Sequence, residues 1–455
     1  MKRPLAILLT LISIRCFAQP IDTAKLDSLF DILTAKNLAI GSILITQNGR
    51  LVYQRSFGNP QSFASPQPSG SPNPSDNQPP ATTYRLGSIT KLFTAVMIYE
   101  LIDRNQLSLD DTLSKFFPDL PDAGRITIAD MLGHRSGLAN FTAPATGFDT
   151  WKDQPHTHDQ LLAFIKSQSP DFVPEAKADY NNSNFLLLGY ILEKISHRPY
   201  KDLVNERIIH QLGLQATYYG DHAGFQGKEA PSYKYFDNKW QEEKAVYLDN
   251  FGGAGAMIST PQDMCKFITA IFGGNIISRR SLARMTRIEK DGYGWGMFSF
   301  GDSLHTGYGH NGKTEGFASS LQYYPENKLA IGYCTNGELY PKDKILTEVF
   351  KICFNEPAAL PTFIPVTLSR DQLQPFTGTY AGDNGLQVTS AIENGSLTLA
   401  AKGQQFALEA LSDHEFRNTR FGFFFEFGNG GQQLVVHDAA VTYWLHKLTS
   451  LSQQR

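Results

Sequence analysis

A proline-containing stretch at residues 357–365 divides the chain into two parts whose hydrophobic patterns differ. Before it, helical periodicity such as KLDSLFDILTAKNL alternates with strand signals such as GSILITQNGRLVYQRSF, a hairpin that turns at Asn48-Gly49. After it, short strand-like runs are separated by turns. We therefore predict an α+β (α/β) domain over 19–356, a linker over 357–365 and an antiparallel β domain over 366–455.

Composition limits the classes of function. The net charge of −3 and the absence of a basic block argue against a nucleic-acid partner. No His, Cys, Asp or Glu cluster has zinc-ligand spacing, so we predict no metal and no cofactor. Beyond the N-terminal segment three cysteines remain, Cys265, Cys334 and Cys353, and their odd count favours buried free thiols over disulfides.

The first 18 residues have the pattern of an export signal. Lys2 and Arg3 give a positive start, PLAILLTLISI is apolar, and CFA offers a cleavage site before Gln19. An uncleaved anchor is the alternative, but the apolar run is too short to span a bilayer. We predict a signal peptide over 1–18 and a mature chain, without a membrane span, in the periplasm or outside the cell.

The best candidate for chemistry is Ser88-Ile89-Thr90-Lys91, between a polar, proline-rich stretch at residues 59–83 and the helix-like run LFTAVMIYELI. Residues three apart on a helix share a face, so the Lys91 amine can lie beside the Ser88 hydroxyl. Burial and the helix dipole lower the pKa of such a lysine, and a neutral amine can then activate a serine nucleophile. The alternative is a helix cap at Ser88 and a solvated Lys91.

Tyr180 and Asn182 form a second candidate pair, just before the apolar run FLLLGYILEKI. A phenol and an amide two residues apart on a loop can both point into one cleft, the first to carry a proton and the second to hold a partner by hydrogen bonds. An Asx-type turn or a helix cap supplied by Asn182 or Ser183 is the alternative, and it is compatible with the first interpretation.

The third candidate is His310-Asn311-Gly312-Lys313, which leads into the strand-like run ASSLQYYP. On an edge strand, the Lys313 N–H could join the Ser88 N–H in an oxyanion hole. Two further His-x-Gly sequences, at 222–224 and 305–307, do not lead into such a hydrophobic, strand-like run. A solvated turn histidine is the alternative for each copy.

Ser88-x-x-Lys91, Tyr180-x-Asn182 and His310-x-Gly312, in this order, resemble the three signature motifs of the serine β-lactamase and penicillin-binding-protein superfamily. The class C β-lactamase-like branch, with the peptidase S12, D-aminopeptidase and esterase members, is the most similar. The resemblance implies an antiparallel sheet flanked by helices, an all-α subdomain with the active site at the junction, and a lipocalin-like C-terminal β domain.

The resemblance also implies roles for the motif residues. Ser88 would attack a substrate carbonyl and become acylated, with Lys91 and Tyr180 sharing the role of general base and Asn182 holding both substrate and Lys91. Which of the two bases takes the first proton stays open. His134 and Ser136, in the segment HRSGL, are expected to brace a loop, and His437 and His446 to be structural.

The third motif departs from the Lys-Thr-Gly of many relatives. An imidazole at position 310 is mostly neutral at pH 7, so it would anchor a substrate carboxylate weakly. We therefore expect a serine hydrolase for a small ester, a D-amino-acid peptide or amide, or a peptidoglycan-derived peptide. A β-lactamase or D-Ala-D-Ala carboxypeptidase and a non-catalytic ligand-binding or sensor module stay open, as does the oligomeric state.

Overall fold

The computed structural model describes residues 20–58, 82–221, 229–289, 292–382, 385–438 and 442–448. The predicted signal peptide, most of the proline-rich stretch and the His-x-Gly sequence at 222–224 lie outside the described residues. In the part that is described, no helix combines the length and the apolar character needed to cross a membrane.

Helices and strands alternate up to residue 353 and strands predominate afterwards. The helices are α1 Thr23–Ala35, α2 Thr90–Asp103, α3 Ile128–Leu132, α4 His158–Ser167, α5 Asn182–Ser196, α6 Tyr200–Val204, α7 Pro261–Phe272, α8 Arg279–Met285, α9 Lys342–Cys353 and α10 Arg370–Leu373. The strands of the first part are β1 Ala39–Gln47, β2 Arg50–Phe57, β3 Tyr84–Arg85, β4 Tyr218–Tyr219, β5 Tyr233–Phe236, β6 Lys239–Glu242, β7 Met257–Ser259, β8 Phe298–Gly301, β9 Thr306–Thr314, β10 Phe317–Tyr324 and β11 Leu329–Glu338. Those of the second part are β12 Gly378–Ala381, β13 Gln387–Glu393, β14 Ser396–Ala401, β15 Gln404–Ala407, β16 Glu409–Ala410, β17 Glu415–Asn418, β18 Phe423–Gly428, β19 Gln433–His437 and β20 Thr442–Lys447.

An antiparallel six-stranded sheet in the order β2-β1-β11-β10-β9-β8 forms the centre of the first part. Alternate side chains of β1 point to opposite faces, as the pleat requires. Ile43 and Ile45 pack with α1 and α9, whereas Leu44 packs with α2, α5 and α7. Because both faces are covered, every residue of β10 and β11 is buried.

The helices on the Leu44 face form the subdomain that carries the first two motifs. Ten consecutive residues of α2, from Thr90 to Tyr99, are buried, so this helix lies inside the domain rather than on its surface. It packs against α5 and against the irregular segment Leu248–Ala254. The expected β-lactamase-like fold, a sheet flanked by helices with a helical subdomain, is confirmed.

The second part is a meander of antiparallel strands in the order β15-β14-β13-β12-β20-β19-β18-β17-β16. Its two end strands are separated in the chain by Leu408 alone, so one bent segment pairs with β14 at one side and with β17 at the other. The sheet thus curls into a barrel-like unit, and side chains such as Tyr380, Phe416, Phe427 and Leu434 fill its interior. The predicted C-terminal all-β, lipocalin-like domain is confirmed.

The C-terminal sheet packs directly on the first part. The ammonium of Lys344, on α9, forms ion pairs with Glu415 and Glu426 of β17 and β18. Beside these ion pairs, the rings of Tyr340 and Phe424 meet edge to face with their centres 5.4 Å apart. In the same region, the end of β19 and the start of β20 lie close to the start of α9.

Candidate active site

Two glycines allow the backbone around Ser88 to touch β9. Gly87 has a φ of +53°, and a β-carbon there would lie 2.6 Å from the carbonyl oxygen of Lys313. A β-carbon on Gly312 would lie 1.9 Å from the carbonyl oxygen of Leu86, which also accepts a hydrogen bond of 2.8 Å from the Ser319 hydroxyl. The Lys313 backbone therefore lies against the turn that carries Ser88.

Replacing Gly312 with alanine should separate these two backbones. The added methyl group has no free space, so either β9 or the Ser88 turn must move by the order of an ångström. A displacement of that size in a catalytic group costs about 100-fold in rate. We expect a fall of about that size in kcat for a chromogenic ester. Gly124→Ala is the matched control, since a β-carbon at Gly124 meets nothing within 4 Å; equal activity of the two variants would contradict the proposed contact.

Lys91 is fully buried directly below Ser88. Its amine nitrogen lies 3.1 Å from Ser88 Oγ, 2.7 Å from Asn182 Oδ1 and 2.9 Å from the carbonyl oxygen of Ala254. Burial lowers the pKa of Lys91 well below its ordinary value, because no carboxylate among the described residues compensates for the lost solvation. The amine is therefore biased toward its uncharged form.

The other hydrogen-bond partners of Lys91 indicate which group donates in its hydrogen bond with Ser88. Asn182 Oδ1 and the Ala254 carbonyl oxygen can only accept, so they take the two protons of a neutral amine. Its lone pair is then directed at the third partner, and the Ser88 hydroxyl becomes the donor across the 3.1 Å contact. This is the arrangement in which an amine can remove the hydroxyl proton.

Tyr180 packs against Lys91 and Ser88 on the side that faces the cleft. Its ring centre is 4.8 Å from the Lys91 nitrogen, and its hydroxyl forms a hydrogen bond with Ser88. Burial raises the pKa of Tyr180 above its ordinary value despite the hydrogen bond with Ser88, which lowers it. Tyr180 is therefore a neutral phenol at pH 7, which can donate a proton or pass one on.

The start of α5 sets the position of Asn182. The helix is capped by Asn181, whose side chain accepts from the backbone N–H of Ser183 at 2.8 Å. The sequence-based alternative, a cap supplied by Asn182 or Ser183, is therefore wrong by one or two residues. With the capping done by its neighbour, the Asn182 amide accepts from Lys91 and donates to Thr142 Oγ1 at 2.7 Å.

His310 lies in the wall of the cleft with 2% of its surface exposed. Its ring stacks on Phe298 with centres 4.2 Å apart, and it lies 6.3 Å from the ring of Tyr180. Burial is the main cause that lowers the pKa of His310 to about 3, and a positive charge on the nearby Lys91, when present, acts in the same direction. The imidazole is thus uncharged at neutral pH. The other described His-x-Gly copy lies elsewhere, with His305 stacked on Phe354 at 4.0 Å.

A cleft of about 450 Å³ joins the predicted site residues. It is lined by seven of them, Ser88, Tyr180, Asn182, His310, Asn311, Gly312 and Lys313. Lys91, the eighth, lies beneath Ser88. Of these residues Asn311 has a buried side-chain oxygen that lacks a hydrogen-bond partner. Within the described ranges, no group of three or more His, Cys, Asp and Glu side chains could hold a metal ion.

The outer wall of the cleft comes from residues that the motifs did not reveal. The start of α9 contributes Pro341 and Lys342, and the C-terminal sheet contributes His437, Asp438 and Thr442. The expectation that His437 is only structural is therefore incomplete, because this side chain borders the space beside the site. The cleft is shared by two domains, and no local sequence pattern marks such a long-range contact.

Residues 26–350 match the β-lactamase family. The match covers more than half of the chain and contains all three motifs, so the chain belongs to this family. The protein is a serine hydrolase with a β-lactamase-related site, in agreement with the resemblance that the motifs indicated.

The chain is similar to several known proteins, including two matched by sequence and one matched by its solved structure. Penicillin-binding protein 4* of Bacillus subtilis is 25% identical over 422 residues, which cover 86% of this chain and 90% of that protein. Teichoic acid D-alanine hydrolase of Staphylococcus aureus is 28% identical over 231 residues, or 51% of this chain and 54% of that protein. The structure of a D-stereospecific amidohydrolase from Streptomyces sp. superposes with a TM-score of 0.61 at 25% identity, covering 72% of this chain and 98% of that one.

Proposed function

We propose that the protein hydrolyses D-aminoacyl esters or amides, including peptidoglycan-derived peptides, through an acyl-enzyme on Ser88. The observation that carries this proposal is the fully buried Lys91 amine, whose nitrogen lies 3.1 Å from Ser88 Oγ. Two relatives named as a D-alanine hydrolase and a D-stereospecific amidohydrolase support the choice of substrate. We also propose that residues 1–18 direct its export.

In acylation, the Ser88 proton passes to Lys91 as Oγ attacks the substrate carbonyl carbon. The negative charge that develops on the carbonyl oxygen is stabilised by the backbone N–H groups of Ser88 and Lys313. Tyr180, hydrogen-bonded to Ser88 and beside Lys91, relays the proton to the leaving amine or alcohol. The C–N or C–O bond then breaks and the acyl group stays on Ser88.

In deacylation, water replaces the departed group. Tyr180, again a neutral phenol, accepts a proton from the water as it passes its own proton to the neutral Lys91 amine, while the water oxygen attacks the acyl carbon. The ester bond to Ser88 breaks, the proton returns to Oγ, and the free acid leaves. Asn182 keeps the Lys91 amine in place through both steps, and Asn311, whose oxygen has no other partner among the described groups, can accept from a substrate N–H.

A substrate panel tests the proposed specificity. D-alanyl and D-phenylalanyl esters and amides are compared with their L-enantiomers and with nitrocefin, each on the wild type and on Ser88→Ala. The proposal expects turnover of the D-compounds, with nitrocefin hydrolysed more slowly and every activity lost in the variant. If only the L-esters or nitrocefin were turned over efficiently, the D-aminoacyl assignment would be wrong.

A β-lactamase or carboxypeptidase activity is the second candidate, because a relative that aligns with 86% of this chain is named as a penicillin-binding protein. Both activities use a substrate carboxylate. With a His310 pKa of about 3, acidification from pH 7.5 to pH 5.5 creates no new cation at this position. A His310 with an ordinary pKa near 6.5 would become charged in that interval.

The pH dependence of carboxylate recognition separates these cases. A cephalosporin with a free carboxylate and its methyl ester are compared at both pH values, so that effects on the nucleophile cancel in the ratio of their kcat/KM values. We expect a ratio that changes by less than about two-fold. A rise of about ten-fold on acidification, the scale of a new charge-assisted hydrogen bond, would show that His310 does titrate there and would favour the second candidate.

A further inference from the structure

His134 contacts three consecutive residues around the phenol of the site. Its carbonyl oxygen accepts from the backbone N–H of Asp179 at 2.8 Å, and its ring Nδ1 accepts from the backbone N–H of Asn181 at 3.1 Å. Between these two residues, the ring of Tyr180 lies against the imidazole, with centres 4.6 Å apart and planes inclined by 36°. The backbone on both sides of Tyr180 and its side chain are therefore all fixed by one residue.

The chemical state of His134 suits this contact. Its Nδ1 can accept from Asn181 only when it carries no proton, so the remaining proton of the neutral ring is on Nε2. Burial, together with the charges that Lys91 and His310 could carry, lowers the pKa of His134 well below its ordinary value. A cation at this place would break the bond to Asn181 and would lie beside a lysine that has to lose its own proton.

The backbone of His134 is also held in an unusual conformation. Its φ of +58° is in the left-handed region, where a residue with a side chain is uncommon and which it occupies here directly after α3 ends. Its ring is 2% exposed and is enclosed by Phe185 and Tyr293 as well, with centres 5.3 and 5.4 Å away. The surrounding structure therefore leaves the imidazole one orientation, against Tyr180.

We propose that His134 is a positioning residue that acts through Tyr180, holding the phenol at the distance from Ser88 and Lys91 at which it can relay protons. The inference rests on the proposed acyl-enzyme function and deepens it, because it assigns a role in the reaction to a residue outside the three motifs. His134 does not line the cleft, so it makes no contact with the substrate.

A nearby serine provides the control for a purely structural role. Ser136 lies in the same segment, is buried, and donates to Asn184 Oδ1 at 2.6 Å, so it also ties this segment to α5. It makes none of the three contacts around Tyr180. Ser136→Ala should therefore lower the melting temperature, as we also expect for the His134 variants. Its kcat should stay within about three-fold of the wild type.

The experiment is a double-mutant cycle of His134→Ala and Tyr180→Phe in the full chain. The rate of Ser88 labelling by a fluorophosphonate is measured together with kcat and KM for a D-aminoacyl ester. We expect His134→Ala to lower the labelling rate and kcat by about 10- to 100-fold, as a displaced relay group would, with KM changed by less than about three-fold. On the Tyr180→Phe background the same change should cost less than about three-fold.

His134→Gln keeps an acceptor for the Asn181 N–H but lacks the ring. This variant replaces His134→Ala in the experiment if the alanine variant does not fold. Its kcat should lie between those of the wild type and His134→Ala. Equal losses on both backgrounds, or a higher KM with kcat unchanged, would overturn the positioning role. Labelling of Ser88→Ala at the wild-type rate would instead overturn the acyl-enzyme function itself, so the two failures are distinguishable.

Discussion

Replacing Ser88 with alanine should lower kcat toward a D-aminoacyl ester by about 10⁵-fold or more, the scale seen when a serine nucleophile is removed from an enzyme that forms an acyl intermediate. Its two nearest neighbours in the site cannot take its place as the nucleophile, since Tyr180 is held as a neutral phenol by its raised pKa and Lys91 lies beneath the serine. Steady-state kinetics on purified protein, with a melting curve to show an intact fold, provide the measurement.

The control for this prediction is Ser167→Ala. Ser167 is an exposed residue at the end of α4. Among the described contacts, its hydroxyl donates to the carbonyl oxygen of Phe164 and accepts from the side chain of the neighbouring Gln168. Its replacement should leave kcat unchanged. Residual turnover above about 1% of wild type by Ser88→Ala would mean that a group other than this hydroxyl attacks the substrate.

Replacing Lys91 with alanine should lower the acylation rate by about 10²- to 10⁴-fold, the range for loss of a general base. The amine has to be uncharged to accept the serine proton, and burial favours this uncharged form because it lowers the pKa of Lys91. The rate of fluorophosphonate labelling, followed from pH 5 to pH 10, gives both the size of the loss and the pH at which the wild type loses activity on acidification.

Lys91→Arg separates a base from a fixed positive charge. A guanidinium cannot lose its proton in a protein, yet it retains the charge and the donor groups of a lysine. If Lys91 acts as the base, the arginine variant should be as slow as the alanine variant. Recovery of more than about one tenth of the wild-type rate by the arginine variant would show that the charge, and not the lone pair, is what matters at this position.

Sequence periodicity predicted the long elements of the fold. The helix α1, the hairpin of β1 and β2 and the strand β10 all lie where helical or alternating patterns indicate them. The short strands β3, β4 and β7 were not predicted, since two or three residues are too few to show an alternation. Strand β17 was missed for the same reason, because it has only four residues.

The motif residues of the site could be predicted because residue type and spacing alone indicate their chemistry. The third partner of Lys91 could not be predicted in this way, since it is the backbone carbonyl oxygen of Ala254, which any residue would offer. Two other features depend on contacts between segments far apart in the chain. They are the part of the cleft wall formed by Asp438 and the packing of the His134 imidazole against Tyr180. Such contacts are set by packing, which a single sequence does not display.

The most direct test of the account is to locate the covalent intermediate. The protein is quenched in acid within seconds of mixing with a slowly hydrolysed D-aminoacyl ester, digested, and mapped by tandem mass spectrometry. We expect one acyl group, on Ser88, in the wild type, and a longer-lived one when Tyr180 is replaced by phenylalanine. An acyl group on any other residue, or turnover with no adduct at any time, would contradict the acyl-enzyme function.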